Sequence, residues 1–203
     1  SEGLLGVITE VTVKILKSPE VVKAALIGFP SIEDAGNCVA QIIAEGCIPA
    51  GMEIMDKALT KATNDYSKAG YPTDAEAMMI IEFDGTEHEV EAYISKAQNI
   101  AEKNNSSSVK ISKTNEERLK FWAGRKAAFP ACGVLAPDYM CMDGSIPRGK
   151  LAEVLNEITR LSKKYNLPVA NAFHAGDGNL HPLIMFDAND KESLRKCEEF
   201  GAD

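Results

Sequence analysis

The dipeptide Asp177-Gly178 lies between two apolar runs, "PVANAFHA" and "LHPLIMFD". Both central positions of a two-residue type I′ hairpin take positive φ, which Asp and Gly tolerate and most residues do not. The pair therefore predicts a reversal, with the flanking runs as adjacent antiparallel strands. If the turn is centred between Asp177 and Gly178, residues equidistant from that point face each other. His174 then stands directly opposite His181, with Cβ atoms about 4.5–5.5 Å apart on one face. Two imidazoles so placed can both reach one divalent ion at about 2.0–2.1 Å. The other reading is two polar residues at a sheet edge around a glycine turn, and a bulge would shift the pairing. A catalytic zinc takes three protein ligands plus an open position, so the pair alone is an incomplete site. Asp177 belongs to the turn and points away, and His88, in "TEHEVE", reads as a solvated helix residue.

Elsewhere, strand and helix periods alternate. Leu5, Val7, Val11, Val13 and Ile15 mark a half-buried strand of period two. Val22 to Phe29 is a buried strand, and Ser31 caps the helix "IEDAGNCVAQIIAEG", which ends at Gly46. Ile48 to Met55 is a strand, and a loop follows near "NDYSKAGYPTDAE". "AMMIIEFDG" is a strand, Thr86 caps "EHEVEAYISKAQNIAEKN", and "SSVKIS" is a short strand. Asn115 opens a long helix that breaks at Pro130. "PDYMCMDGSIP" gives a strand and turn, Pro147 starts "RGKLAEVLNEITRLSKKY", and a last helix begins near Asn189. This order implies an α+β fold, with a ferredoxin-like antiparallel sheet and helices packed mainly on one face.

The net charge of −8 argues against nucleic acid or an anionic membrane as the main partner. No apolar run reaches the roughly 18 residues that span a bilayer, and no signal peptide is visible. Five scattered cysteines without a CxxC pair form neither a disulfide framework nor a zinc ribbon, and the simplest setting is the reducing cytoplasm. The chain starts without Met and stops just after an apparent helix, which suggests a piece excised from a larger protein.

Three stretches carry a resemblance: "FHAGDGNLHP", "FWAGRKAAFPACG" and "DYMCMDGSIPRGKL". Together they resemble the C-terminal cap domain of the FAD-linked oxidases of the vanillyl-alcohol oxidase superfamily. Within it, they resemble the glycolate oxidase FAD-binding subunits and the D-lactate and D-2-hydroxyglutarate dehydrogenases. The resemblance implies that residues 1–16 are the terminal strand of a flavin-binding domain. Residues 17–203 would be the substrate cap, cut before a later Glu-His motif of the family. FAD would be held mainly by the absent N-terminal domain. This agrees with the lack of a dinucleotide fingerprint here, since the clustered glycines of the histidine turn lack a strand–loop–helix setting.

In the metal-dependent members the two histidines of the motif bind a divalent metal such as zinc, which carries over to His174 and His181. The third ligand and a candidate general base lie in the later Glu-His motif, so this piece alone is expected to be inactive. Arg125, in "WAGRKAAF", reads from sequence either as a solvated helix arginine or as a carboxylate anchor. The resemblance favours the anchor, for which a planar guanidinium fork is well suited. Lys126 leaves the helix about 100° away and is expected in solvent. Cys141 stands where some relatives carry a substrate-binding Lys, which argues for a substrate smaller than a dicarboxylate. Cys132 and Cys141 are expected in the core rather than as reactive thiols.

The implied activity is flavin-dependent oxidation of a 2-hydroxy acid of the glycolate or D-lactate type. The implied partners are that small acid, the flavin domain of the same parent chain and an electron-acceptor subunit. The alternatives are a metal-dependent hydrolase built on the two histidines and a non-catalytic binding module.

Overall fold

The computed structural model describes residues 3–203. Strands β1 (Val21–Phe29) and β3 (Ala77–Gly85) pair along their whole length. Both read as continuous apolar runs rather than alternations, because helices cover both faces of the sheet around them. Helix α1 (Ile32–Ala44) starts where the Ser31 hydroxyl accepts from the Asp34 amide at 3.0 Å. Strand β2 (Gly51–Asp56) follows, and β3 leads into α3 (Glu87–Lys103). There Thr86 and Glu89 form a reciprocal capping box, so both expected caps are present. Strand β4 (Ser108–Ile111) adds to the free side of β1.

The remaining elements are α4 (Asn115–Lys126), α5 (Ala128–Ala131), β5 (Asp138–Cys141) and β6 (Gly144–Ser145). They are followed by α6 (Leu151–Tyr165), β7 (Val169–His174), β8 (Asn179–Phe186) and α7 (Lys191–Ala202). The eight strands form one antiparallel sheet in the order β4-β1-β3-β2-β7-β8-β5, with β6 beside β8. The β4-β1-β3-β2 half is a ferredoxin-like unit, as expected. The other half, β7-β8-β5 with α6 and α7, repeats the β2-β3-β1 order of the first. This is a repeat of fold that the sequence does not display. The halves meet where β2 pairs with β7.

Alternate side chains enter two cores, one on each face of the sheet. Phe29, Phe83, Phe173 and Ile54 pack under α1, α3, α6 and α7. Met55, Leu59, Phe121, Ala172 and Met185 pack on the other face, under a helix the sequence did not reveal, α2 (Lys57–Ser67), together with α4 and α5. The short sequence of α2, "KALTKATNDYS", buries only Leu59, Thr60, Ala62 and Thr63 and is mostly polar. Its last residues, Asn64–Ser67, fall in the stretch expected as loop. Asp56 caps it, accepting from the Leu59 amide at 2.9 Å.

Residues 6–19 form neither helix nor strand, and Val7, Val11, Val13 and Ile15 are exposed. The alternation expected to be half-buried therefore has no cover among the described residues. No described helix is long and apolar enough to cross a membrane.

Asp56 gives a pH dependence. Burial pushes its carboxyl up from 3.8 to about 6, against hydrogen bonds from Leu59 and Asn171. The folded chain then holds a proton that the unfolded chain releases. Stability from this group is full below pH ~4 and is lost as pH rises through about 6. Asp56→Asn keeps an acceptor for the cap and removes the ionisation. It is expected to gain on the order of 1 kcal/mol at pH 7 and nothing at pH 4, measured by urea unfolding at both values.

Candidate functional site

The hairpin differs from the two-residue turn in one respect. Its loop is Ala175–Gly178, and of these residues only Gly178 takes positive φ, +76°. The Asp177 and Gly178 amides both donate to the His174 carbonyl, at 3.0 and 3.1 Å. His174 consequently pairs with Asn179, and His181 pairs with Ala172. The direct cross-strand pair expected from the sequence is thus a diagonal one. A slip of one residue would have turned a ring to the other face, whereas this slip of two preserves the parity of the pleat. The imidazoles share a face, edge to face, with centroids 5.1 Å apart.

That face is the one covered by α2, α4 and α5, and α4 brings Arg125 to it. Arg125 is 8% exposed, so it is not a solvated helix arginine, while its neighbour Lys126 is exposed as expected. The burial depends on a close approach at Gly124. A Cβ built there would stand 2.2 Å from Tyr71 Oη and 2.8 Å from Ala69 Cβ. The Tyr71 hydroxyl donates to the Phe121 carbonyl, one turn earlier on the same helix.

Glu53 joins the two features. The β2–β7 register puts it directly opposite His174. Its Oε1 lies 2.7 Å from His174 Nδ1. Its Oε2 accepts from Arg125 Nε at 3.2 Å and lies 3.1 Å from Nη2. The carboxylate is 12% exposed, against 44% for the His174 ring and 16% for His181. Sequence reasoning missed Glu53, which sits in "GMEIMD" with no local mark except that it is a charge inside an apolar strand. A cleft of about 320 Å³ opens beside it, lined by Ile48, Gly51, Glu53, His174, Gly176 and Asp177.

A second acid near the pair is Asp143, whose Oδ1 is 3.7 Å from His181 Nδ1, too far for a hydrogen bond. Among the described residues no group of three His, Cys, Asp or Glu side chains could hold a metal ion. The residues fit a divalent cation only in part. They supply two imidazoles with adjacent rings, one of them oriented by a carboxylate, and no third donor.

His88 is exposed in the first turn of α3, away from the pair, as expected. All five cysteines are free. Cys132 is buried, and burial pushes its thiol up to about 11, which suits a core residue. Cys141 corrects the expectation of a core position. It is exposed at the end of edge strand β5, opposite Leu183. Its thiol is raised, first by partial desolvation and then by Asp143, so it is uncharged at neutral pH.

The sequence model for FAD linked oxidases, C-terminal domain, matches residues 18–203. The chain is 51% identical over 201 residues to the glycolate oxidase subunit GlcD of Escherichia coli (strain K12), covering 99% of this chain and 40% of that one. It is 33% identical over 200 residues to the mitochondrial D-lactate dehydrogenase [cytochrome] of Arabidopsis thaliana, covering 98% of this chain and 35% of that one. Its structure superposes on an alkyldihydroxyacetonephosphate synthase with a TM-score of 0.69, over 100% of this chain and 42% of that one. At 17% identity that likeness shows the fold alone. The chain spans about two fifths of the length of the curated relatives it matches. Its sequence, its repeated ferredoxin-like sheet and its matched span together show that this chain belongs to the FAD linked oxidases, as their C-terminal domain.

Proposed function

We propose that this chain is the substrate-covering cap of a flavin-dependent oxidoreductase acting on a small 2-hydroxy acid, of the glycolate or D-lactate type. The observation that carries the reading is the buried Arg125 guanidinium, linked through Glu53 to an imidazole pair on the same face. It supports the reading because a single organic acid needs both kinds of group. Arg125 receives the carboxylate as a planar fork. The histidines stand near the C2 hydroxyl, with His174 held in the Nδ1–H tautomer by Glu53 and its Nε2 lone pair left free. Packing of the cap over the acid excludes water from the reacting carbon. The neutral, exposed Cys141 offers no cation for a second carboxylate, which favours a monocarboxylate.

The described residues contain no glycine-rich strand–loop–helix to cradle a diphosphate, so the flavin belongs to another part of the parent polypeptide. When bound, it accepts hydride from C2. A divalent cation on His174 and His181, completed by a donor from outside this chain, would supply Lewis-acid polarisation of the hydroxyl. The exposed apolar positions Val7, Val11, Val13 and Ile15 suit a strand laid on that flavin domain, so residues 1–16 are assigned to it and residues 17–203 to the cap. Electrons then leave the flavin for a separate acceptor subunit.

The test is anaerobic mixing of the full-length flavoprotein with glycolate or D-lactate while oxidised-flavin absorbance is followed. Bleaching is expected to be much faster with the free acid than with its methyl ester. Flavin that stays oxidised with every 2-hydroxy acid tried would defeat the reading.

A further inference from the structure

We propose that Glu53 is the positioning residue that locks the carboxylate anchor and the histidine pair into one geometry. The proposal rests on the cap reading above and goes beyond it.

The two oxygens of Glu53 have separate tasks. Oε2 takes the side-on edge of Arg125, through Nε and Nη2, at 3.2 and 3.1 Å. Oε1 takes His174 Nδ1 at 2.7 Å. One carboxylate oxygen thus meets a whole edge of the guanidinium and spares its far end. Among the described residues Arg125 Nη1 has no hydrogen-bond partner. With the outer hydrogen of Nη2 it forms the end-on fork, the edge that matches an incoming carboxylate. On the other side, accepting from Nδ1–H leaves Nε2 of His174 as the nitrogen with a lone pair. A long, rotamer-rich arginine and a half-exposed ring are therefore both fixed before any ligand arrives, and both present their useful edge. No other described carboxylate touches Arg125 or His174.

The bland alternative is that Glu53 only neutralises a buried arginine. The two roles part on chemistry. Gln has the same size but an NH2 in place of one oxygen, so it turns a donor toward either Arg125 or His174 Nδ1–H and cannot hold both in the Glu53 geometry. Asp keeps both oxygens on a stem one methylene shorter, so it keeps the charge and strains the span. A purely structural loss would weaken charged and uncharged ligands alike. Loss of a positioned fork weakens the one with a carboxylate.

The experiment uses the full-length flavoprotein as wild type, Glu53→Gln and Glu53→Asp. Second-order constants for anaerobic flavin reduction are measured with a 2-hydroxy acid and with its methyl ester. The acid-over-ester preference is expected to fall by about tenfold or more in Glu53→Gln, mainly through a higher half-saturating concentration of the acid, and by less in Glu53→Asp. An unchanged preference, or an equal loss for acid and ester, overturns the proposal. If wild-type flavin is reduced by no 2-hydroxy acid, the cap reading is what has failed. The Glu53 assignment is then decided by thermal stabilisation with glycolate. Stabilisation present in wild type and lost in Glu53→Gln supports it, and stabilisation that is absent or equal in both overturns it.

Discussion

Arg125→Met in the full-length flavoprotein is expected to lower kcat/KM for a 2-hydroxy acid by about 10²–10³-fold. The guanidinium is 8% exposed, and its one carboxylate partner among the described residues, Glu53, uses only part of its donor set. A ligand carboxylate would meet it in a partly desolvated site, where charge-assisted hydrogen bonds are stronger than in water. Met keeps the length and packing of the stem and removes both charge and fork. Arg125→Lys restores the charge without the planar geometry and is expected to recover only part of the loss. The same change strands Glu53, so Arg125→Met is also expected to lose on the order of 3 kcal/mol of stability. Kinetics should therefore be measured well below the variant's melting transition, followed by circular dichroism. A kcat/KM within a fewfold of wild type in a folded, flavin-loaded variant would remove Arg125 from the substrate site.

Gly124→Ala is expected to destabilise the fold by about 3 kcal/mol, the upper end of the usual cost of overpacking. Most helix glycines gain from this substitution, because Ala is the better helix former by about 1 kcal/mol. Here the added methyl would lie 2.2 Å from Tyr71 Oη and 2.4 Å from its Cζ. Tyr71 has little room to retreat, since it is 5% exposed and its hydroxyl is bonded to the Phe121 carbonyl. Helix α4 must move outward, and Arg125, the next residue, moves with it. The variant should show a lower denaturation midpoint and a weaker response to the free acid. The double change Gly124→Ala with Tyr71→Ala reopens the space. It should recover part of the acid response while paying for the lost ring. A Gly124→Ala protein as stable as wild type would mean that α4 does not sit this close to Tyr71.

Histidines 174 and 181 show how far local reasoning reaches. Their shared face follows from pleat parity, which is a property of the backbone alone, and it holds although the exact partner was wrong. The partner depends on whether the loop has two residues or four, and Asp177-Gly178 admits both. Cys141 failed differently. An apolar-looking residue in a short strand reads as core unless it is known that the strand ends at the sheet's edge.

Glu53 marks the limit of local reading. Its partners are 72 and 121 residues away, and no spacing within "GMEIMD" encodes them. Helix α2 was equally hidden, since its propensity is weak and its stability comes from the sheet face beneath it. The amino-acid sequence alone determined most of the strands from β1 onward, the caps at Ser31 and Thr86, the hairpin and the common face of the two imidazoles. Each of these is set by backbone periods and side chains within a few residues. Only the tertiary structure decided which carboxylate meets Arg125 and His174, because the pairing of β2 with β7 and the docking of α4 over them are choices of long-range packing.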